Sequence, residues 1–119
     1  MKYIDNQDGT ITDTSTGLMW KQNPETDLYS FDKTLKIKSN FLKYNNWRMP
    51  TIHELFGLVD ITKTNPAINP MFNYTGTYFW SASPYVDDSD YAWYIDFNDD
   101  YAYYDYKRSM YHVRLVRYP

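Results

Sequence analysis

Two short β-prone runs, Tyr3-Ile4-Asp5 and Thr10-Ile11-Thr12-Asp13, flank Asp8-Gly9, a pair that tolerates the positive φ of a tight turn. Residues 3–13 are therefore expected to form a hairpin. Thr14-Ser15-Thr16-Gly17 punctuates the chain again before Leu18-Met19-Trp20, whose large apolar groups should enter the core, and residues 21–29 read as loop. From Ser30 the pattern turns helical. Ser30 can cap, Asp32 sits where the helix dipole favours an anion, and Phe31, Leu35 and Leu42 could share a face, although Ile37 and Phe41 blur the stripe. A clearer helix follows Pro50: Thr51 and Glu54 make a capping box, and Ile52, Leu55, Phe56 and Val59 keep the i, i+3, i+4, i+7 spacing, which predicts a helix over 52–60. Asn65-Pro66-Ala67-Ile68-Asn69-Pro70 should be an ordered irregular loop, because each proline biases its predecessor toward extended backbone.

After Tyr78 the sequence reads as antiparallel β in four runs, 78–81, 91–97, 101–106 and 110–116. In the second, Trp93, Ile95 and Phe97 alternate with Tyr94, Asp96 and Asn98. That period of two predicts one core face and one wet face. No repeat of 20 residues or more is present, and 119 residues suit a single domain spanning 1–119.

Composition sharpens this picture at three points. The aromatic share is 20%, with 14 tyrosines, which argues for a folded chain. The net charge of −3 offers no basic field for phosphates, so nucleic acid is not the expected partner. No apolar run is long enough to span a membrane, and Met1-Lys2-Tyr3-Ile4-Asp5 turns polar too early for a signal peptide, so no membrane insertion is expected and the compartment stays undetermined. The absence of cysteine excludes disulfides and thiol chemistry.

Candidate chemistry is sparse. His53-Glu54-Leu55-Phe56-Gly57 lacks the second histidine that a zinc-peptidase helix needs, since Gly57 stands there. His112 lies far away in a tyrosine-rich strand, and no phosphate loop or nucleophile elbow is visible. Asp87, Asp88, Asp90, Asp96, Asp99, Asp100 and Asp105 crowd a stretch without Lys or Arg. Calcium would suit such oxygen ligands, but no spaced loop with a bidentate Glu is present, and Asp5 to Gly9 is better explained by the hairpin. No metal and no cofactor are expected. Between Tyr85 and His112, 19 of 28 residues are Tyr, Asp, Ser, Asn or His. Tyr103, Tyr104 and Tyr106 cannot all be core in a strand, so some rings must face water. Tyr with Asp, Ser and Asn is the chemistry of binding paratopes: rigid rings give contact area at little entropic loss, and short polar groups adapt their hydrogen bonds. The bland alternative is a sheet with a merely polar outer face.

Taken in order, several stretches resemble the Lcl C-terminal domain family, named for a bacterial collagen-like adhesin. They are Asp5-Asn6-Gln7-Asp8-Gly9-Thr10-Ile11-Thr12-Asp13, Thr16-Gly17-Leu18-Met19-Trp20, Asn46-Trp47-Arg48-Met49-Pro50-Thr51, Glu54-Leu55, Asn65-Pro66-Ala67-Ile68-Asn69-Pro70, Tyr78 to Tyr85, Tyr91 to Phe97 and Val113-Arg114-Leu115-Val116-Arg117. The resemblance implies an α+β, C-type-lectin-like fold: an N-terminal hairpin, two short helices, C-terminal antiparallel strands and paired chain ends. It implies a cell-surface or secreted setting and a possible homo-oligomer, a trimer in the adhesin. The fold's enzymatic cousins use cysteine, which this chain lacks, so no catalytic residue carries over and no enzyme is expected. The Glu-Pro-Asn, Gln-Pro-Asp and Trp-Asn-Asp signatures of sugar-binding C-type lectins are also missing. Sulfated glycans, which the adhesin grips, want cations, whereas this segment offers only Lys107 and Arg108. Variable proteins of diversity-generating retroelements share this fold, and Asp87, Asp88, Ser89, Asp90, Tyr94, Asp96, Tyr101, Tyr103, Asp105, Tyr106, Arg108, Ser109, Tyr111 and His112 resemble their diversified positions.

The reading that follows is a non-enzymatic ligand-binding domain of adhesin or receptor-recognition type, its partner a protein or glycan on another surface. Its binding face is expected to comprise Tyr94, Asp96, Asn98, Asp99, Asp100, Tyr101, Tyr103, Asp105, Tyr106, Arg108, Ser109, Tyr111 and His112. A structural or oligomerisation module, a glycan-binding adhesin domain, a calcium lectin and a hydrolase using paired aspartates are the rivals.

Overall fold

The computed structural model describes residues 2–74 and 76–119. It is an α+β domain of two antiparallel sheets and a few short helices. The N-terminal hairpin forms as expected: β1 (Tyr3–Asp5) pairs with β2 (Thr10–Asp13), and Gly9 takes φ +91° in the connection. Asp8 Oδ1 accepts from the Thr10 N–H, closing the turn locally. Leu18 and Trp20 enter the core, and Met19–Lys21 is itself a strand, β3, paired with β2.

The region after Ser30 departs from expectation. Helix α1 covers only Phe31–Thr34, and Ser30 makes no side-chain cap bond. Phe31 is buried, but Leu35 is 66% exposed and Leu42 is exposed with a positive φ, so the three share no buried face. The cause lies in packing: so short a helix persists only where tertiary burial supports it, and the lysine-rich continuation reaches the core through half-buried Ile37, which is off the expected stripe. A 3₁₀ turn, Phe41–Lys43, follows. Helix α2 spans Ile52–Phe56, shorter than the expected 52–60. Its capping box is complete, since the Glu54 N–H donates to Thr51 Oγ1 and the Thr51 N–H to Glu54 Oε1. Beyond Gly57 the α ladder gives way to bonds three residues back, Leu58 N–H to Leu55 O and Val59 N–H to Phe56 O. No helix among the described residues is long and apolar enough to cross a membrane.

The second sheet joins β4 (Tyr78–Pro84), β5 (Tyr91–Asp96) and β6 (Tyr101–Tyr106) in that spatial order. A bulge lies in β4 between Trp80 and Pro84. There Ser81 Oγ donates to Trp93 O, while Ala82 N–H donates to Pro50 O and Ser83 Oγ accepts from the Ile52 N–H. The bulge therefore docks the start of α2 against the sheet.

The C-terminal segment is not one long strand over 110–116. Only Val116–Arg117 (β7) forms a ladder, with β3, so the four-stranded sheet runs β1-β2-β3-β7. The chain ends share this sheet but lie on opposite edges rather than pairing directly. Upstream of β7 the segment makes single bridges, Tyr29 with Tyr111 and Phe79 with His112, and so ties the two sheets together.

Two apolar clusters fill the interior. One lies between the sheets and includes Ile11, Trp20, Leu55, Phe72, Phe79, Ile95, Phe97 and Val116. The other covers the opposite face of the second sheet with Phe31, Trp47, Met49, Trp80, Ala92, Tyr94, Val113 and Leu115. The expected division into one core face and one wet face is thus corrected: β5 is covered on both sides, because α1 and the segment around Trp47 pack where solvent was expected. Between the clusters Arg114 is 1% exposed and donates to the carbonyls of Lys21 (3.0 Å), Gln22 and Asn73 (2.6 Å). Its guanidinium lies over the Phe72 and Phe79 rings, at 5.2 and 5.7 Å. Burial lowers its pKa to about 9, which leaves it a cation at neutral pH.

Two substitutions weigh these supports in urea denaturation. Arg114→Met removes the side-chain donors from the carbonyls of Lys21, Gln22 and Asn73, of which Gln22 O keeps the Asn73 N–H, and is expected to cost about 3 kcal/mol. Thr51→Ala should cost only about 1 kcal/mol, the usual worth of an N-cap. Wild-type stability in Arg114→Met would show that the guanidinium does not pin the fold.

Candidate functional site

The register of the second sheet sorts its aromatic residues by face. Trp80, Tyr94 and Tyr103 stand opposite one another on one side, with Tyr78, Asp96 and Tyr101 beside them; Phe79, Ile95 and Ala102, then Trp93 and Tyr104, then Tyr91 and Tyr106 lie on the other.

On the first face Tyr94 packs edge-on against Tyr78 and lies 5.0 Å from Tyr111, which approaches Trp80 at 4.7 Å. This group is structural. Tyr94 is 7% exposed, and burial first, then its Tyr101, Tyr78 and aspartate neighbours, raises its pKa. Asp96 is 1% exposed and spends its carboxylate on the N–H groups of Asn98 (2.8 Å) and Asp99 (3.3 Å), holding the β5–β6 turn. Tyr94 and Asp96 are therefore corrections to the expected binding face: both are buried, Tyr94 within the second apolar cluster and Asp96 against the backbone of the β5–β6 turn. His112 is half-buried beside Phe79, its pKa lowered by burial, and a Cβ at Gly76 would overlap its ring. It too points inward.

The expected residues that do reach the surface lie along β6 and its two ends. Tyr101, Tyr103 and Tyr106 are exposed, Tyr103 to 49%. Asn98 and Asp99 are exposed at the hairpin tip beside half-buried Asp100, which has φ +64°. At the far end Arg108 lies over the Tyr106 ring at 4.4 Å. Tyr101 and Tyr103 occupy one face of the sheet and Tyr106 the other, so they border a common edge strand rather than forming one flat face.

The second face holds aromatic residues outside the expected set. Tyr85 stacks on Tyr104 at 4.0 Å, Tyr91 lies 4.5 Å from Tyr106, and Trp93 meets both Tyr85 and Tyr104 edge-on. Tyr104 also touches Tyr103 at 4.7 Å, joining the two faces around the edge. Next to this group Ile52, His53, Phe56, Trp93 and Ala102 line an apolar concavity of about 390 Å³. Periodicity assigns Phe56 and Trp93 to core faces; in the structure Phe56 is exposed and Trp93 half-buried, and both line the concavity. Register was the missing signal, since Tyr104 joins Trp93 only through strand pairing and Tyr85 only through the bulge. Among the described residues no group of three or more His, Asp or Glu side chains is placed to hold a metal ion.

Asp105 links β6 to the chain beyond it. Its carboxylate accepts from Tyr111 Oη, from Ser109 Oγ (3.0 Å) and from the Tyr106 N–H (2.7 Å). Burial pushes its pKa up, but these bonds together with nearby Arg108 outweigh that and hold it below the usual carboxylate range. Burial and then Asp105 raise the pKa of Tyr111. A carboxyl depressed in the folded state contributes stability above its unfolded pKa, about 3.9, and loses it as pH falls through the lower folded value. Asp105→Asn should therefore melt below wild type at pH 7, and the difference should shrink as pH drops below about 4. A pH-independent gap would show that the carboxylate charge is not what holds Tyr111.

No curated protein and no solved structure matches the chain significantly. The family model described as the Lcl C-terminal domain matches residues 9–117, from the hairpin turn through β7. The chain therefore belongs to the Lcl C-terminal domain family.

Proposed function

We propose that this is a non-enzymatic ligand-binding domain, on a C-type-lectin-like scaffold, that recognises its partner through the tyrosine-rich margin of the second sheet. Family membership marks it as a surface-protein or adhesin-type domain. The observation that carries the finer reading is the continuity of exposed and half-buried rings around β6: Tyr101, Tyr103, Tyr104 and Tyr106, backed by Tyr85 and Tyr91. Contiguous exposed apolar surface of this kind marks interaction sites. Ring burial would supply most of the affinity, and the surrounding aspartates would select partners by charge. Asp87, Asp88, Asp90 and Asp99 are exposed, which supports a neutral or cationic partner over a sulfated glycan. The exposed positions between 85 and 112 are also those that a diversified repeat could vary without disturbing Tyr94 and Asp96.

The test is selection on a glycan array and on a displayed random-peptide library, followed by binding of the recovered ligands to Tyr103→Ala and Tyr106→Ala. Both variants should melt close to wild type and lose about 2 kcal/mol or more of binding if either ring is a hot spot. Ligands that bind both variants undiminished would overturn the reading. Light scattering on Tyr103→Asp addresses the rival: dissociation of a wild-type oligomer would show that these rings serve self-assembly instead.

A further inference from the structure

We propose that the outer edge of β6 takes up an extended, basic segment of another polypeptide as an added strand. The proposal rests on the ligand-binding reading above and names the class of its partner.

Backbone direction shows that the edge is open. Tyr91 O accepts from the Tyr85 N–H, Trp93 O from Ser81 Oγ, and the Phe97 N–H donates to Thr77 O, so odd-numbered residues of β5 face β4. Even-numbered residues face β6, where Ala92, Tyr94 and Asp96 stand opposite Asp105, Tyr103 and Tyr101, and Lys107 N–H continues the ladder to Asp90 O. Ala102, Tyr104 and Tyr106 consequently turn their backbone groups away from the sheet. Tyr106 is closed locally, its N–H donating to Asp105 Oδ1 and its carbonyl accepting from the Ser109 N–H. The N–H and C=O of Ala102 and Tyr104 have no partner among the described residues. These two residues, spaced by two, are the repeat with which an added strand exchanges hydrogen bonds.

The opposite edge of the same sheet is finished differently. There the chain covers β4 itself, with Trp80 N–H donating to His112 O and His112 N–H to Tyr78 O. Strand β6 also lacks the usual protection of an edge, since Tyr101–Tyr106 contains neither proline nor lysine and no bulge interrupts its register with β5. Its one charge, Asp105, is occupied by Tyr111 and Ser109. An added strand would alternate its side chains between Tyr101 and Tyr103 on one face and Tyr104 and Tyr106 on the other.

Charge selects the occupant. Asp99 and Asp100 stand at the start of β6, and Asp87, Asp88 and Asp90 lie in the turn hydrogen-bonded to its far end. No Lys or Arg occurs from 87 to 106; Lys107 and Arg108 follow, Lys107 lying over Phe31 and Arg108 over Tyr106. A second copy would bring the same acidic stretch against itself in a chain of net charge −3. A basic segment meets complementary charge at both ends.

The probe is an acetylated, amidated heptapeptide alternating lysine with valine, and its control replaces lysine by glutamate. Binding to the whole domain is followed by anisotropy, and amide exchange at Ala102 and Tyr104 by NMR. The expected result is binding of the lysine peptide alone, with exchange at both amides slowed about tenfold or more and affinity lowered about tenfold by Ala102→Pro. Should Ala102→Pro fail to fold, the exchange measurement on wild type stands without it. Binding that depends on Tyr103 but leaves both amides exchanging freely would overturn strand addition and leave the aromatic-surface reading intact. Equal binding of the glutamate peptide would overturn the basic partner. Binding of neither peptide would overturn this partner class, while ligands from the array and library would still decide the broader reading. Protection of both amides in the free protein, together with a dimer by light scattering, would assign the edge to a second copy and overturn the proposal.

Discussion

A cation buried without a carboxylate fixes how this domain is assembled. Arg114 satisfies its guanidinium with main-chain carbonyls from the end of β3 and from the stretch before β4, and sandwiches it against Phe72 and Phe79. Desolvating such a group is costly, so the arrangement holds only if all three carbonyls stay in place. This constraint sets the position of the whole C-terminal segment. Val113 and Leu115 then fall into one apolar cluster and Val116 into the other. His112 is delivered to the outer edge of β4 and closes it.

That closure gives the second sheet its asymmetry. The chain covers one edge and both faces of β5, leaving β6 as the margin where the sheet meets solvent. Tyrosine serves both sides of this boundary. Tyr94 is buried and Tyr111 half-buried, both with pKa values raised by burial, while Tyr101, Tyr103 and Tyr106 present similar rings outward. Edge-to-face and tilted contacts join Tyr103 through Tyr104 to Trp93, and each such pair contributes about 0.5–1.5 kcal/mol beyond its buried area. Tyr103 and Tyr106 are thereby held by half-buried neighbours, Tyr104 and Tyr91, which lowers the entropic cost of using them as contacts.

The aspartates divide in the same way. Asp96 and Asp105 are committed to the fold, one capping the β5–β6 turn and the other anchoring Tyr111. Asp87, Asp88, Asp90 and Asp99 face water and shape the field around the edge. A composition that looks uniform along the chain thus combines scaffold and surface within one segment.

Local chemistry was enough to determine local structure. Asp8-Gly9 specified the first hairpin, Thr51 and Glu54 specified the start of α2, and β-prone runs, with alternation in 91–97, placed β4, β5 and β6, because each depends on backbone preferences and hydrogen bonds within a few residues. Only the tertiary structure decided what those elements face. A period of two says that Tyr94 and Asp96 share a side of β5, but whether that side is wet depends on Phe31, Trp47 and Val113 arriving from distant parts of the chain. The same holds for Phe31, Leu35 and Leu42, whose apolar spacing found a core for Phe31 alone, and for Tyr104, which register and not spacing joined to Tyr85 and Trp93. Burial is a property of two surfaces, and a sequence pattern describes only one of them.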